Sequence, residues 1–306
     1  MRSTQVFSLA VSGTNLFAGT EGGVFLSTNN GTSWTEVGLT NTYVKSLVVS
    51  GTNLFAGTFG GVFLSTNNGT SWTAVNTGLT STNVWSLAVS GTDLFAGTNG
   101  GGIFLSTNNG TSWTAINNGL TNTQVWSLAV SGPNLFAGTS AGIFLSTNNG
   151  TGWAAVNNGL TSTYVLSLAV SGTNLFAGTW GGGVFRSTNN GTNWTAVNNG
   201  LTSTYVYSLA VSGTNLFAGT YGGGVFLSTN NGTSWTAVNN SLTNPYVQSL
   251  AVSGTNLFAG TDPAVSGDDL CRKCQSKVFP LMCRSNSVLS KTIQIPSTQR
   301  QLSIIN

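Results

Sequence analysis

Histidine is absent from all 306 residues, and charged side chains make up only 5% of them, against about 25% in ordinary soluble proteins. Lacking imidazole, the chain has neither the usual general base near neutral pH nor the commonest metal ligand. Residues 1–261 hold three bases (Arg2, Lys45, Arg186) and three acids (Glu21, Glu36, Asp93), so this stretch is neutral. The formal excess of +3 comes from 262–306, with six bases and three acids. A neutral body gives no electrostatic footprint for nucleic acid or for an anionic membrane surface. No apolar run approaches the roughly 18 residues of a membrane helix, so no membrane insertion is expected. The start, "MRSTQVFSLAVSG", is already repeat sequence, and no signal peptide is expected within it. Scarce charge does not mean disorder here, because 40% of the residues are hydrophobic and little charge opposes collapse.

What is present is a repeat. "LFAGT" begins at Leu16, Leu54, Leu94, Leu135, Leu175, Leu216 and Leu257, seven copies spaced 38 to 41 residues apart. One unit reads "YVYSLAVSGTNLFAGTYGGGVFLSTNNGTSWTAVNNGLTST". It parses into four short strands, "VYSLAV", "LFAGT", "VFLST" and "SWTAV", separated by "SGTN", "YGGG" and "NNG". Val, Phe, Leu, Thr and Trp suit strands, while Gly, Asn and Ser punctuate turns. Four strands in roughly 40–45 residues is the size of a propeller blade. The expected fold is all-β, a propeller of four-stranded antiparallel blades. Seven blades are preferred and six are the alternative; a β-solenoid is a minor one. The expected organisation is a repeat array over 1–261 and a tail over 262–306. That tail either completes the last blade, through "KVFPLM" and "SVLSKTIQI", or is disordered.

The turn between strands three and four repeats as Ser-x-Asn-x-Gly-x-x-Trp. Its six copies are Asn29, Gly31, Trp34; Asn67, Gly69, Trp72; Asn108, Gly110, Trp113; Asn148, Gly150, Trp153; Asn189, Gly191, Trp194; and Asn230, Gly232, Trp235. An Asn side chain closes such a turn by bonding the backbone, Gly takes the positive φ, and Trp returns a large ring to the sheet. The box resembles the Asp-box of sialidase-type (BNR-repeat) propellers, with Asn in place of Asp at every copy. The whole unit is similar to repeats of bacterial secreted or cell-surface propellers and of the photosystem II assembly-factor-like group. The resemblance covers residues 1–261 and implies a propeller in which the box is structural. It favours an extracellular or cell-surface location and leaves activity open.

Near-identity makes the exceptions informative. Slot one, before the first-strand Val, holds Gln5, Tyr43, Asn83, Gln124, Tyr164, Tyr205 and Tyr246. Slot two, after that Val, holds Phe7, Lys45, Trp85, Trp126, Leu166, Tyr207 and Gln248. Slot three, after "AGT", holds Glu21, Phe59, Asn99, Ser140, Trp180, Tyr221 and Asp262. Eleven of these 21 positions are aromatic. In a propeller all three slots open on one face. Slot two lies inside a strand, where periodicity usually reports packing; slot three lies on a loop, where binding residues concentrate. The expected ligand contacts are Phe59, Trp180 and Tyr221, with Tyr43, Tyr164, Tyr205, Tyr246, Glu21 and Asn99 around them.

Catalysis fails on inventory. Sialidase chemistry needs an arginine cluster, and past Arg2 the repeats hold only Arg186. A glycosidase needs two facing carboxylates. Glu21 and Asp262 become neighbours if the ring closes, but they lack positioned partners. The tail's Cys271, Cys274 and Cys283 are too few for a zinc site without His. No catalytic residue, metal or cofactor is expected. The reading is a noncatalytic module binding carbohydrate or peptide; the alternatives are a spacer or surface-display propeller and, less favoured, a glycoside hydrolase.

Overall fold

The computed structural model describes residues 5–40, 42–240, 242–262, 292–293 and 301–305. Six consecutive four-stranded antiparallel sheets follow the repeat, each with its strands in chain order. In blade two these strands are Val44–Ser50, Asn53–Thr58, Gly61–Ser65 and Thr73–Ala74. The fourth strand is short because a side chain does part of its work. Asn76 accepts from the Val62 amide at 2.7 Å and donates to the Gly60 carbonyl at 3.2 Å. Blade one lacks this Asn, and its fourth strand, Thr35–Thr40, runs longer instead.

Period-two alternation in "LFAGT" builds the core. This strand is buried along both faces, since it is sandwiched between blades. Leu54 and Ala56 pack against Phe17 of blade one, while Phe55 packs against Leu94 and Ala96 of blade three. The same handover runs round the ring and ends with Phe258 against Leu16 and Ala18. The Gly of each motif keeps neighbouring blades close at the axis. A Cβ on Gly97 would run into Ser86 Oγ and stand 2.6 Å from a methyl of Val125 in the next blade.

The turn "STNNGTSW" behaves as its chemistry dictates. Ser27 Oγ accepts from the Gly31 amide at 2.8 Å, and Asn29 Oδ1 accepts from the Ser33 amide at 2.9 Å. Asn30 and Gly31 both take positive φ, 54° and 77°, the requirement of a type I′ turn. The Trp indole then crosses between blades: Trp113 Nε1 donates to the Val75 carbonyl at 2.7 Å, and Trp72, Trp153, Trp194 and Trp235 do the same one blade back. Trp34 instead bonds Gly31 O within its own turn, at 3.1 Å.

Trp34 differs because of what precedes it in the ring. The expectation of seven antiparallel blades is corrected to six. Val247–Ser253 and Asn256–Thr261 form a seventh inner hairpin, but Gln301–Ile305 pairs parallel to Asn256–Gly260. Thr292–Ile293 pairs with Gln301–Ile305 on its far side. A parallel neighbour requires a long crossover, so the outer half of this sheet does not continue the repeat and offers no "SWTAV" strand to Trp34. The hairpin still closes the ring: Ser249 Oγ donates to Val6 O at 3.1 Å, and Phe258 shares a core with Val6. "KVFPLM" and the three cysteines lie outside the described residues.

Candidate functional site

The mouth is assembled by three features of the inner strands. First, each of the seven first strands carries a β-bulge at slot two. Val44 pairs with Thr58 and Ser46 with Gly57, so Lys45 opposes no partner residue. The same skip falls at Phe7, Trp85, Trp126, Leu166, Tyr207 and Gln248. A bulge re-aims a side chain out of the regular alternation. Second, slot three returns to slot one within a blade: Trp180 N donates to Tyr164 O and Tyr221 N to Tyr205 O, both at 2.9 Å. Third, loops of adjacent blades interlock, with Asn99 bridging Gln124 and Trp180 bridging Tyr205.

These features gather all eleven variable aromatics into two arcs of touching rings. The first runs from Phe7 through Tyr43, Phe59, Trp85 and Trp126 to Tyr164. Tyr43 and Phe59 stack at 5.1 Å, and Trp85 meets Trp126 edge-on at 4.3 Å. The second arc joins Trp180, Tyr205, Tyr207, Tyr221 and Tyr246, with Tyr221 and Tyr246 at 4.6 Å. Trp180 (43% exposed) and Tyr205 (40%) are the exposed large apolar side chains among the described residues. Polar slots lie alongside the first arc, in the blades of Trp85 and Trp126: Ser140 Oγ donates to Gln124 Oε1 at 2.9 Å, and Trp85 Nε1 donates to Asn83 Oδ1 at 2.7 Å.

Ring closure places the acidic slots together. Gln5 Nε2 donates to Asp262 Oδ2 at 3.0 Å, while the Gln5 carbonyl accepts from the Glu21 amide. Asn244, buried, donates its side-chain amide to the Asp262 carbonyl. Lys45 sits within the field of both acids, with its Nζ 3.2 Å from the Phe7 ring centre and 5.2 Å from that of Trp85. Tyr43 and Phe59 complete the cage at 5.9 and 5.5 Å. Burial among these rings lowers the Lys45 amine to about 7, against the opposing pull of Asp262 and Glu21. Burial raises Tyr207, with neighbouring Tyr221 and Asp262 adding to the shift, and burial alone raises Tyr164.

The slot-one and slot-three candidates therefore meet at one mouth, Asn99 on its polar side and Glu21 on its acidic side. Slot two, read from sequence as packing, supplies Lys45 and four rings of the same surface, Phe7, Trp85, Trp126 and Tyr207. Its sequence signal was variability inside an otherwise repeated strand, which a bulge explains and regular alternation does not. The remaining charges among the described residues sit elsewhere. Glu36 is exposed on an outer strand, Asp93 accepts from Asn149 at 2.7 Å, and Arg186 donates to Asn231 O at 3.1 Å.

No family model and no curated relative matches the sequence. Solved structures do. The extracellular domain of BT4673 from B. thetaiotaomicron superposes with a TM-score of 0.71 at 21% identity, covering 85% of this chain and 38% of that one. An ancestral GH74 enzyme gives 0.68 at 20%, over 86% of this chain and 44% of the other. YCF48 bound to D1 peptide gives 0.69 at 14%, over 86% and 92%. The chain thus spans less than half the length of the BT4673 and GH74 chains. At such identities the likeness is one of fold, and that fold is the β-propeller.

Proposed function

We propose that this protein is a noncatalytic binding module whose variable mouth takes a carbohydrate or peptide ligand. The observation that carries this reading is the convergence of all eleven non-repeated slot aromatics on one mouth, while the repeated aromatics fill the seams between blades. Rings with a polar edge give large contact area at low entropic cost. The polar slots Asn99, Gln124 and Ser140 supply hydrogen bonds beside them. Among the neighbours, YCF48 was solved with a peptide bound, which supports a peptide ligand. The repeat array 1–261, with Asp262 at its end, carries this role, and the Asn-containing turn is an uncharged counterpart of the Asp-box. The test is a glycan and peptide array probed with wild type and a Trp180→Ala, Tyr221→Ala double variant. Truncating two central aromatic contacts should weaken binding by about tenfold or more, with circular dichroism unchanged. Binding indifferent to both substitutions rejects this mouth as the site, and silence across the array favours a spacer propeller.

A further inference from the structure

The two aromatic arcs differ in one chemical respect. The first already holds an amine: Lys45 Nζ lies on the Phe7 ring, with Tyr43, Phe59 and Trp85 around it. These rings come from slot two of the preceding blade, slots one and three of the same blade, and slot two of the next. The second arc draws its rings from the same kinds of slot, and all five of its members are rings. At the position equivalent to Lys45 stands Tyr207, itself a ring. The mouth's charge also favours a cation there. Asp262 is paired through its backbone with Tyr246, whose ring touches Tyr221, and Glu21 lies across Gln5 from it. Lys45 is the one base at this rim among the described residues, and it faces the first arc.

We propose, resting on the binding reading above, that the second arc of Trp180, Tyr205, Tyr207, Tyr221 and Tyr246 recognises a cationic side chain of a peptide, an ammonium or quaternary ammonium group, assisted by Asp262. The ring faces attract the cation through their quadrupole. The carboxylate adds a field that partial burial leaves less screened than on an open surface. Trp180 and Tyr205, the exposed members, are the entry side. The first arc shows the geometry alone, rings projected from these slots closing around an amine nitrogen; deep burial there works against the charge, whereas the second arc keeps Trp180 and Tyr205 exposed.

The experiment titrates the full chain with N-acetyl-trimethyllysine methylamide and with its neutral isostere, in which carbon replaces the quaternary nitrogen. Calorimetry gives the affinity and indole NMR reports on Trp180. The cation should bind on the order of tenfold more tightly than the isostere, the difference expected of partly desolvated cation–π contacts. Tyr221→Leu and Asp262→Asn should each reduce that ratio, and Lys45→Met, which empties the first arc, should leave the Trp180 response in place. Thermal unfolding of each variant guards against loss of fold. Equal binding of cation and isostere overturns the proposal, as does absence of binding by both at millimolar concentration. So does a cation response that Tyr221→Leu and Asp262→Asn leave unchanged. Array binding that depends on Trp180 but not on ligand charge would reject this inference while leaving the binding mouth intact.

Discussion

Lys45 shows how one side chain couples a cage to stability. An unfolded lysine keeps its proton up to its ordinary value of 10.5, whereas the folded one releases it near 7. Between those values the unfolded chain binds more protons, so stability rises with pH through that window and the charged amine is a burden below it. The gain expected from pH 7 to 10 is about 2 kcal/mol once partial solvent screening is allowed for. Above pH 10 the sign reverses, because Tyr207 and Tyr164 hold their protons in the fold and lose them unfolded. Denaturant midpoints of wild type should climb from pH 7 toward 10 and then fall. Those of Lys45→Met should be flat up to the tyrosine range; a variant that keeps the climb would show that Lys45 is not its source. The residue was visible in the sequence as the single lysine of the repeats. Its cage was not, because Phe7 and Trp85 reach it from two other blades.

At the scale of the element, the repeated turn and the fourth strand form one device. The turn places the Trp, and the Trp ties its blade to the strand before it. Trp113→Ala removes a nearly fully buried ring and its bond to Val75 O. Its cost should be about 3–5 kcal/mol. Trp34→Ala, whose indole bonds only within its own turn, should cost less than half of that. Paired guanidinium unfolding curves check the ratio, and equal losses would mean that the indole bond between blades contributes little. The turn, the strands and the inward Phe of "LFAGT" were all legible, since turn chemistry and period-two alternation are local. The bulges were not. A bulge changes which way a residue points without changing the residue types around it, so slot two read as ordinary strand.

For the whole molecule, the seam between the seventh hairpin and blade one differs from all others. At every other seam the chain itself joins the two blades. At the closing seam Phe258 meets Leu16 and Ala18 from the opposite end of the array. Phe258→Ala and Phe136→Ala remove similar buried rings, so each should destabilise by about 3–5 kcal/mol. Only Phe258→Ala should loosen ring closure and leave strand edges that near-identical blades of a second copy can pair with. Light scattering after refolding should therefore find more dimers and larger species for Phe258→Ala. Equal populations in the two variants would show that the closing seam is no weaker than the rest.

The repeat by itself determined the blade: its four strands, its turns, the aromatics between sheets and the face free to vary. These follow from local rules, namely side-chain period, turn conformation and the apolar character of a strand covered on both sides. Tertiary structure alone decided how many blades are complete, that Asp262 comes to lie against Gln5, and that Lys45 sits inside a cage rather than in solvent. Those outcomes depend on a ring closing over some 250 residues, and no local pattern encodes which distant side chains closure will bring together.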